Sequence, residues 1–140
     1  MEDKIDLRSY RLGSFGAFSE MVKAGVKTLA LSSAISPEEM DAMFDAAKDI
    51  ATIDNLMLYR ETDLIVTDLF PADVALGKHV LLIYKGNTLE EYFKLKNHKT
   101  ELVEKDKYSG DARREVAKRF GRLLSYPENV IENKIDRSRP

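Results

Sequence analysis

The chain contains no cysteine, no tryptophan and only two histidines, His79 and His98, in 140 residues. Without cysteine there is no disulfide framework, no thiolate nucleophile and no Cys-ligated zinc or iron–sulfur centre. Two histidines cannot supply a multi-His metal site within one chain. No Walker loop or dinucleotide-binding fingerprint is present, so no cofactor is expected. Long hydrophobic runs are missing too, since nothing approaches the roughly 20 apolar residues that span a bilayer. The start, MEDKIDLRSY, is charged and lacks the apolar stretch of a signal peptide. The expectation is a soluble, cytoplasmic protein with no membrane partner.

What is present fits one globular domain over residues 1–140, long enough to bury a core without staples. The tail at 136–140, DRSRP, is expected to be disordered. Charge is unevenly spread along the chain. Residues 1–70 carry 7 Lys/Arg against 13 Asp/Glu, a formal −6, and residues 71–140 carry 15 against 11, a formal +4. That polarity either steers an anionic partner to the C-terminal half or lets oppositely charged faces dock.

Local signals divide the chain into elements. Phe18, Met21 and Val22 fall near helical spacing, which predicts a helix over 15–24 ended by Gly25 at the C′ position. Gly13-Ser14-Phe15-Gly16 reads as a loop and cap, or as a short phosphate-binding turn at that helix start. Val26–Leu31 reads as a buried strand. Ser36-Pro37-Glu38-Glu39 is a capping box with proline at the first helical position, opening a helix to about residue 52. Asn55–Arg60 and Leu64–Phe70 read as strands two and three, joined as a hairpin by Glu61-Thr62-Asp63. Phe70–Asp73 breaks the third strand, and Asp73–Gly77 reads as a loop or a single helical turn.

His79–Lys85 is the most strand-like run and the candidate for the centre of the sheet. Thr88–Glu91 forms a second capping box, and the lysines around His98 predict a bend or break near Asn97. Asp111–Ile131 holds the clearest amphipathic helix, with Ala112, Val116, Phe120, Leu123 and Leu124 on one stripe, ended by Tyr126-Pro127. A last helical turn or two follows around Val130 and Ile131. Assembled, these predict an α+β fold. Its core is a mixed four-stranded sheet, from one βαβ crossover plus the hairpin, covered by helices on at least one face, with a C-terminal helical segment.

Three constellations carry chemistry. Arg114, Lys118 and Arg122 follow at i, i+4 and i+8, giving either a solvated face or an anion-binding cradle. Glu115 stands four residues before Arg119 and can neutralise it. Ser32 and Ser33 end the first strand just ahead of a helix N-terminus, where sheets of this kind often bind ligands; they read as turn serines or as anion contacts. The polar group Tyr59–Asp63 cannot converge on one point, because alternation puts Tyr59 and Glu61 on one strand face and Arg60 on the other. Tyr92, Tyr108 and Tyr126 offer stacking surfaces for RNA, without any RNA-binding signature beside them.

At Arg119–Ile131, RFGRLLSYPENVI resembles the GRLLGYP-type C-terminal segment of small archaeal proteins of uncharacterised function, over roughly a tenth of the chain. That pattern has glycine where Ser125 stands and cysteine soon after the proline, where this chain has Glu128 and Asn129. The resemblance implies no activity. With no catalytic set and no metal set, the expected function is a non-catalytic binding or interaction domain. Its partner is an anionic small molecule or RNA, its anion contacts are Arg114, Lys118, Arg122, Ser32 and Ser33, and the chain is expected to form a homodimer. The alternative is a small enzyme on a phosphorylated metabolite, with the serines at the reacting group and the basic stripe holding the anion.

Overall fold

The computed structural model describes residues 6–70 and 74–137. Its elements in chain order are α1 (Leu7–Lys23), β1 (Leu29–Leu31), α2 (Pro37–Ile53), β2 (Met57–Glu61), β3 (Val80–Tyr84), α3 (Thr88–Glu104), α4 (Gly110–Leu123) and α5 (Glu128–Arg137). β3 is central, with strand order β1-β3-β2 and both neighbours antiparallel to it. All five β3 residues are buried, which is why its sequence is continuously apolar rather than alternating.

Two cores lie on the two faces of this sheet. Leu81 and Ile83 of β3, with Ala30, pack against Phe15 and Val22 of α1 and Met40, Met43, Ala47 and Ala51 of α2. Val80, Leu82 and Tyr84, with Leu29, pack against α3, α4 and α5 through Tyr92, Leu95, Val116, Phe120, Ile131 and Ile135. The period-2 alternation of β3 divides the chain into these two sets.

The sheet therefore has three strands rather than four, all antiparallel. β1 and β2 run in the same direction, as the α2 crossover requires, but β3 inserts between them and no parallel pair forms. The hairpin expected from Glu61-Thr62-Asp63 is absent, because Leu64–Phe70 is not a strand. That segment is as buried as a strand, with Leu64, Ile65, Thr67 and Leu69 all in the interior. Side chains satisfy its backbone in place of a ladder. Ile65 N–H donates to the Tyr92 hydroxyl at 3.0 Å, Lys96 Nζ donates to Asp63 O at 2.6 Å, and Lys99 Nζ donates to Val66 O at 2.6 Å. Arg113 adds a two-pronged bond to Asp68 at 2.9 and 2.7 Å. Buried backbone groups need partners, and α3 supplies them here, while α4 holds the Asp68 side chain.

Helix ends follow local chemistry, with some corrections. α1 begins eight residues earlier than the spacing of its apolar residues suggests, capped by Asp6, whose carboxylate accepts from Arg8 N–H at 3.1 Å. Gly13 and Gly16 thus lie inside a helix, and their amides are not at a helix start. Gly25, at φ +80°, closes α1 as expected; Val26 N–H reaches Met21 O and Gly25 N–H reaches Val22 O. This turn keeps Val26–Thr28 out of β1, which shortens that strand to three residues.

The Ser36/Glu39 capping box of α2 is present in both directions. Thr88 is not a cap. Asn87 holds that position, and Thr88 Oγ1 donates back to Lys85 O at 2.9 Å. α3 runs unbroken through Asn97. α5 extends through Asp136 and Arg137, so the ordered chain reaches into the segment expected to be a tail; residues 138–140, like part of the Phe70–Asp73 break, lie outside the described residues.

Candidate functional site

The basic stripe of α4 is largely consumed within the fold. Tyr126-Pro127 reverses the chain, α5 packs back along α4, and α5 carries acids at the complementary spacing. Arg114 pairs with Asp136 at 3.3 Å, Lys118 with Glu132 at 3.9 Å, and Arg122 with Glu128 at 2.8 Å. Cations at i, i+4 and i+8 on one helix meet carboxylates in reverse order on its antiparallel neighbour. Glu115 turns to Arg122 at 3.4 Å rather than to Arg119. The Arg122 guanidinium holds the Glu128 carboxyl below its ordinary range. The stripe is a charge zipper between two helices.

Ser32 is likewise engaged. Its hydroxyl accepts Leu81 N–H at 2.8 Å and donates to Ser33 O at 3.1 Å, so it stands in for a ladder acceptor at the end of β1. Ser33 is exposed. The serines and the stripe do not meet. Ser32 and Ser33 line one concavity with Lys27, while Arg122 lines another with Arg119, Thr28 and Glu91. The tyrosines do not meet either: Tyr92 is sealed in the core at 1% exposure, while Tyr108 is held beneath Lys99 and Arg113.

The cavity containing the serines has a volume of about 310 Å³ and lies between the end of β1, the residues Leu64, Phe70, Val74 and Ala75, and the C-terminus of α4. Its walls are chiefly apolar, built from Leu31, Leu64, Phe70, Val80 and Tyr126. Among the described residues, one cation lines it. Lys27 follows the turn that ends α1, and its Nζ donates to Leu124 O at 2.8 Å and lies 4.8 Å from the centre of the Tyr126 ring. Burial pushes the Lys27 ammonium below its usual pKa. Among the described residues no carboxylate reaches ion-pairing distance of Lys27.

Lys134 stands nearby over the same aromatic wall, 5.2 Å from Phe70 and 5.7 Å from Tyr126. It too has no carboxylate partner among the described residues. An ammonium has three donors, and Leu124 O uses one from Lys27. The arrangement therefore offers an apolar chamber with positive potential at one rim and serine hydroxyls beside it. Sequence reasoning found Ser32 and Ser33 but not Lys27. Its one available signal was a lysine inside the apolar run Val26–Leu31.

A second polar cluster lies on the α3 side of β2. Glu61 is 3% exposed, and Oε2 accepts from Tyr92 OH at 2.8 Å and Lys96 Nζ at 3.1 Å while Oε1 accepts Asp63 N–H at 2.9 Å. Burial, with the Glu61 carboxylate beside it, raises the Tyr92 phenol far above its ordinary pKa. Every lone pair in use points to a protein donor, so this cluster reads as the anchor of the 61–69 segment. On the opposite face Arg60 reaches α2. Its Nε donates to His79 Nδ1 at 3.0 Å and its NH1 pairs with Asp41 at 2.7 Å. Strand alternation separates the two clusters, as the sequence pattern requires.

The class this defines is an α+β domain built on a three-stranded antiparallel sheet with helices on both faces. Comparison with protein-family models, with curated proteins and with solved structures finds no match. Among the described residues, no helix is long and apolar enough to cross a membrane.

Proposed function

We propose that this chain is a non-catalytic binding domain for a small organic anion with an apolar body, seated in the Lys27 cavity. The observation that carries the reading is the Lys27 ammonium, half-buried without a carboxylate at the rim of a chamber whose walls are mostly apolar. A buried cation without a counter-ion is costly, and an anion arriving there relieves that cost. Small-ligand pockets combine an apolar lining with a few placed polar groups in this way. Ser32 is engaged by Leu81 and Ser33, while Ser33 is exposed at the rim and its hydroxyl makes no hydrogen bond among the described residues.

The test is thermal stability of the full chain with octanoate or phenylacetate, against octanol and 2-phenylethanol as uncharged counterparts. A ligand that prefers the folded state raises the melting temperature. The acids raise it, the alcohols leave it in place, and Lys27→Met removes the response. Equal responses to acids and alcohols, or an acid response that survives Lys27→Met, would sink the proposal. No response to either acid would count against it equally.

A further inference from the structure

β2 is an edge strand, and its outer edge carries the groups for pairing with a second copy of itself. Ser32 N–H donates to Leu81 O at 2.9 Å, and Leu81 N–H donates to Ser32 Oγ, so Leu81 directs its backbone toward β1. Ile83, two residues on, shares that orientation. Their β2 partners are Arg60 and Leu58. In an antiparallel ladder those two partners must then turn their own N–H and C=O groups outward, away from β3. Leu58 and Arg60 thus present two donors and two acceptors with no backbone partner among the described residues.

Proline, lysine and a bulge, three of the devices that blunt such an edge, are missing from it. β2 reads MLYRE, with no proline and no lysine, and its register with β3 is continuous, so no bulge bends it away. Its two charges point inward and are neutralised there, Arg60 by Asp41 and Glu61 by Lys96. A second copy approaching this edge therefore meets no like charge from the strand. Met57, at the start of the strand, stands 53% exposed.

We propose that β2 pairs antiparallel with β2 of a second copy about a two-fold axis at Tyr59, giving one continuous six-stranded sheet. The register is self-complementary. Leu58 of one copy exchanges both backbone bonds with Arg60 of the other, and Arg60 of the first does so with Leu58 of the second. All the outward groups of both strands are then satisfied, and the two Tyr59 residues face each other as the close, non-hydrogen-bonded pair. A two-fold interface needs one patch that complements itself, which this edge provides.

Sedimentation equilibrium of the full chain gives the mass, and amide hydrogen exchange as a function of protein concentration gives the interface. The expected result is a dimer in which Leu58 and Arg60 amides gain at least about tenfold protection on concentration, because association is driven by mass action. Leu58→Pro removes an outward N–H that makes no bond within the sheet, a position where an edge strand tolerates proline, so the fold is retained by circular dichroism and the dimer weakens by at least about tenfold. A monomer at all concentrations overturns the proposal. So does a dimer whose Leu58 and Arg60 amides exchange as freely as in the dilute protein.

Discussion

Gly121 on α4 lies so close to Ile131 on α5 that a Cβ built on the glycine would stand 2.6 Å from Ile131 Cγ1. Both residues are buried, so the isoleucine cannot swing out to solvent. The absent side chain is what lets α5 settle onto α4, and that settling brings the acids of α5 to the cations of α4.

Gly121→Ala should therefore cost about 1–3 kcal/mol by overpacking, despite the better helix propensity of alanine. Urea denaturation measures it. Ile131→Ala in the same chain should recover part of the loss, because the two changes share one contact and will not add. Simple additivity would show that the close approach is not the cause.

Glu61 anchors the segment that the sequence presents as a strand. Glu61→Ala strips a buried acceptor from Tyr92, Lys96 and the Asp63 amide at once. Breaking a buried pair by removing one partner typically costs about 3–5 kcal/mol, reduced here because Lys96 retains partial solvent access. The loss should appear in denaturation, with amides 63–69 exchanging first. A change below about 1 kcal/mol would mean that the apolar contacts alone hold the segment.

Ser125 occupies the C′ position of α4 at φ +62°, a conformation that favours glycine, while its hydroxyl accepts Thr28 N–H at 3.0 Å. Ser125→Ala keeps the backbone strain and loses the bond, for about 0.5–1.5 kcal/mol of destabilisation. Ser125→Gly loses the same bond but relieves the strain, so it should lie close to wild type in the same denaturation assay. If glycine is as damaging as alanine, the conformation carries no cost.

The Lys27 cavity predicts a pH profile with a definite sign. Burial lowers the folded-state pKa of Lys27, so between that value and the unfolded 10.5 the unfolded chain holds the extra proton. Apo stability from this group therefore rises as pH climbs through that window. Anion binding needs the ammonium and runs the other way, so octanoate affinity should fall as pH passes the folded pKa of Lys27. Calorimetric titrations at neutral and alkaline pH read this directly, and an affinity that does not change with pH would remove Lys27 from the site.

The charge zipper should be sensitive to salt and acid. Its three carboxylates and Arg122 are exposed, so screening weakens it. The Glu128 carboxyl is held low by Arg122, so its contribution is present above its unfolded pKa and is lost as pH falls through the lowered folded value. Arg122→Ala should lower the melting temperature at neutral pH in dilute buffer and matter less in molar salt or strong acid. A deficit equal under all three conditions would point to packing instead.

Signals confined to a few residues were legible from the sequence. The Ser36/Glu39 box, the Gly25 helix end, the apolar stripe of α4 and the central placement of β3 all stand where the residues put them. So does the division of Tyr59 and Glu61 from Arg60, because a strand has only two faces. What misled was burial without pairing. Leu64–Phe70 has the composition of a strand, yet composition records only that a segment is buried, not what satisfies its backbone.

Capping, glycine geometry and helical periodicity act within one or two turns of chain, so the α+β class and most helix limits were readable from the residues. The sheet order, the fate of the basic stripe and the position of Lys27 depend on contacts far apart in the chain. Arg114 meets its carboxylate 22 residues away, and Lys27 meets its carbonyl 97 residues away. No local preference encodes such a partner. It is selected when apolar faces pack, and in this chain that packing turned the expected anion cradle into a helix–helix seam and left a lysine at the mouth of a cavity.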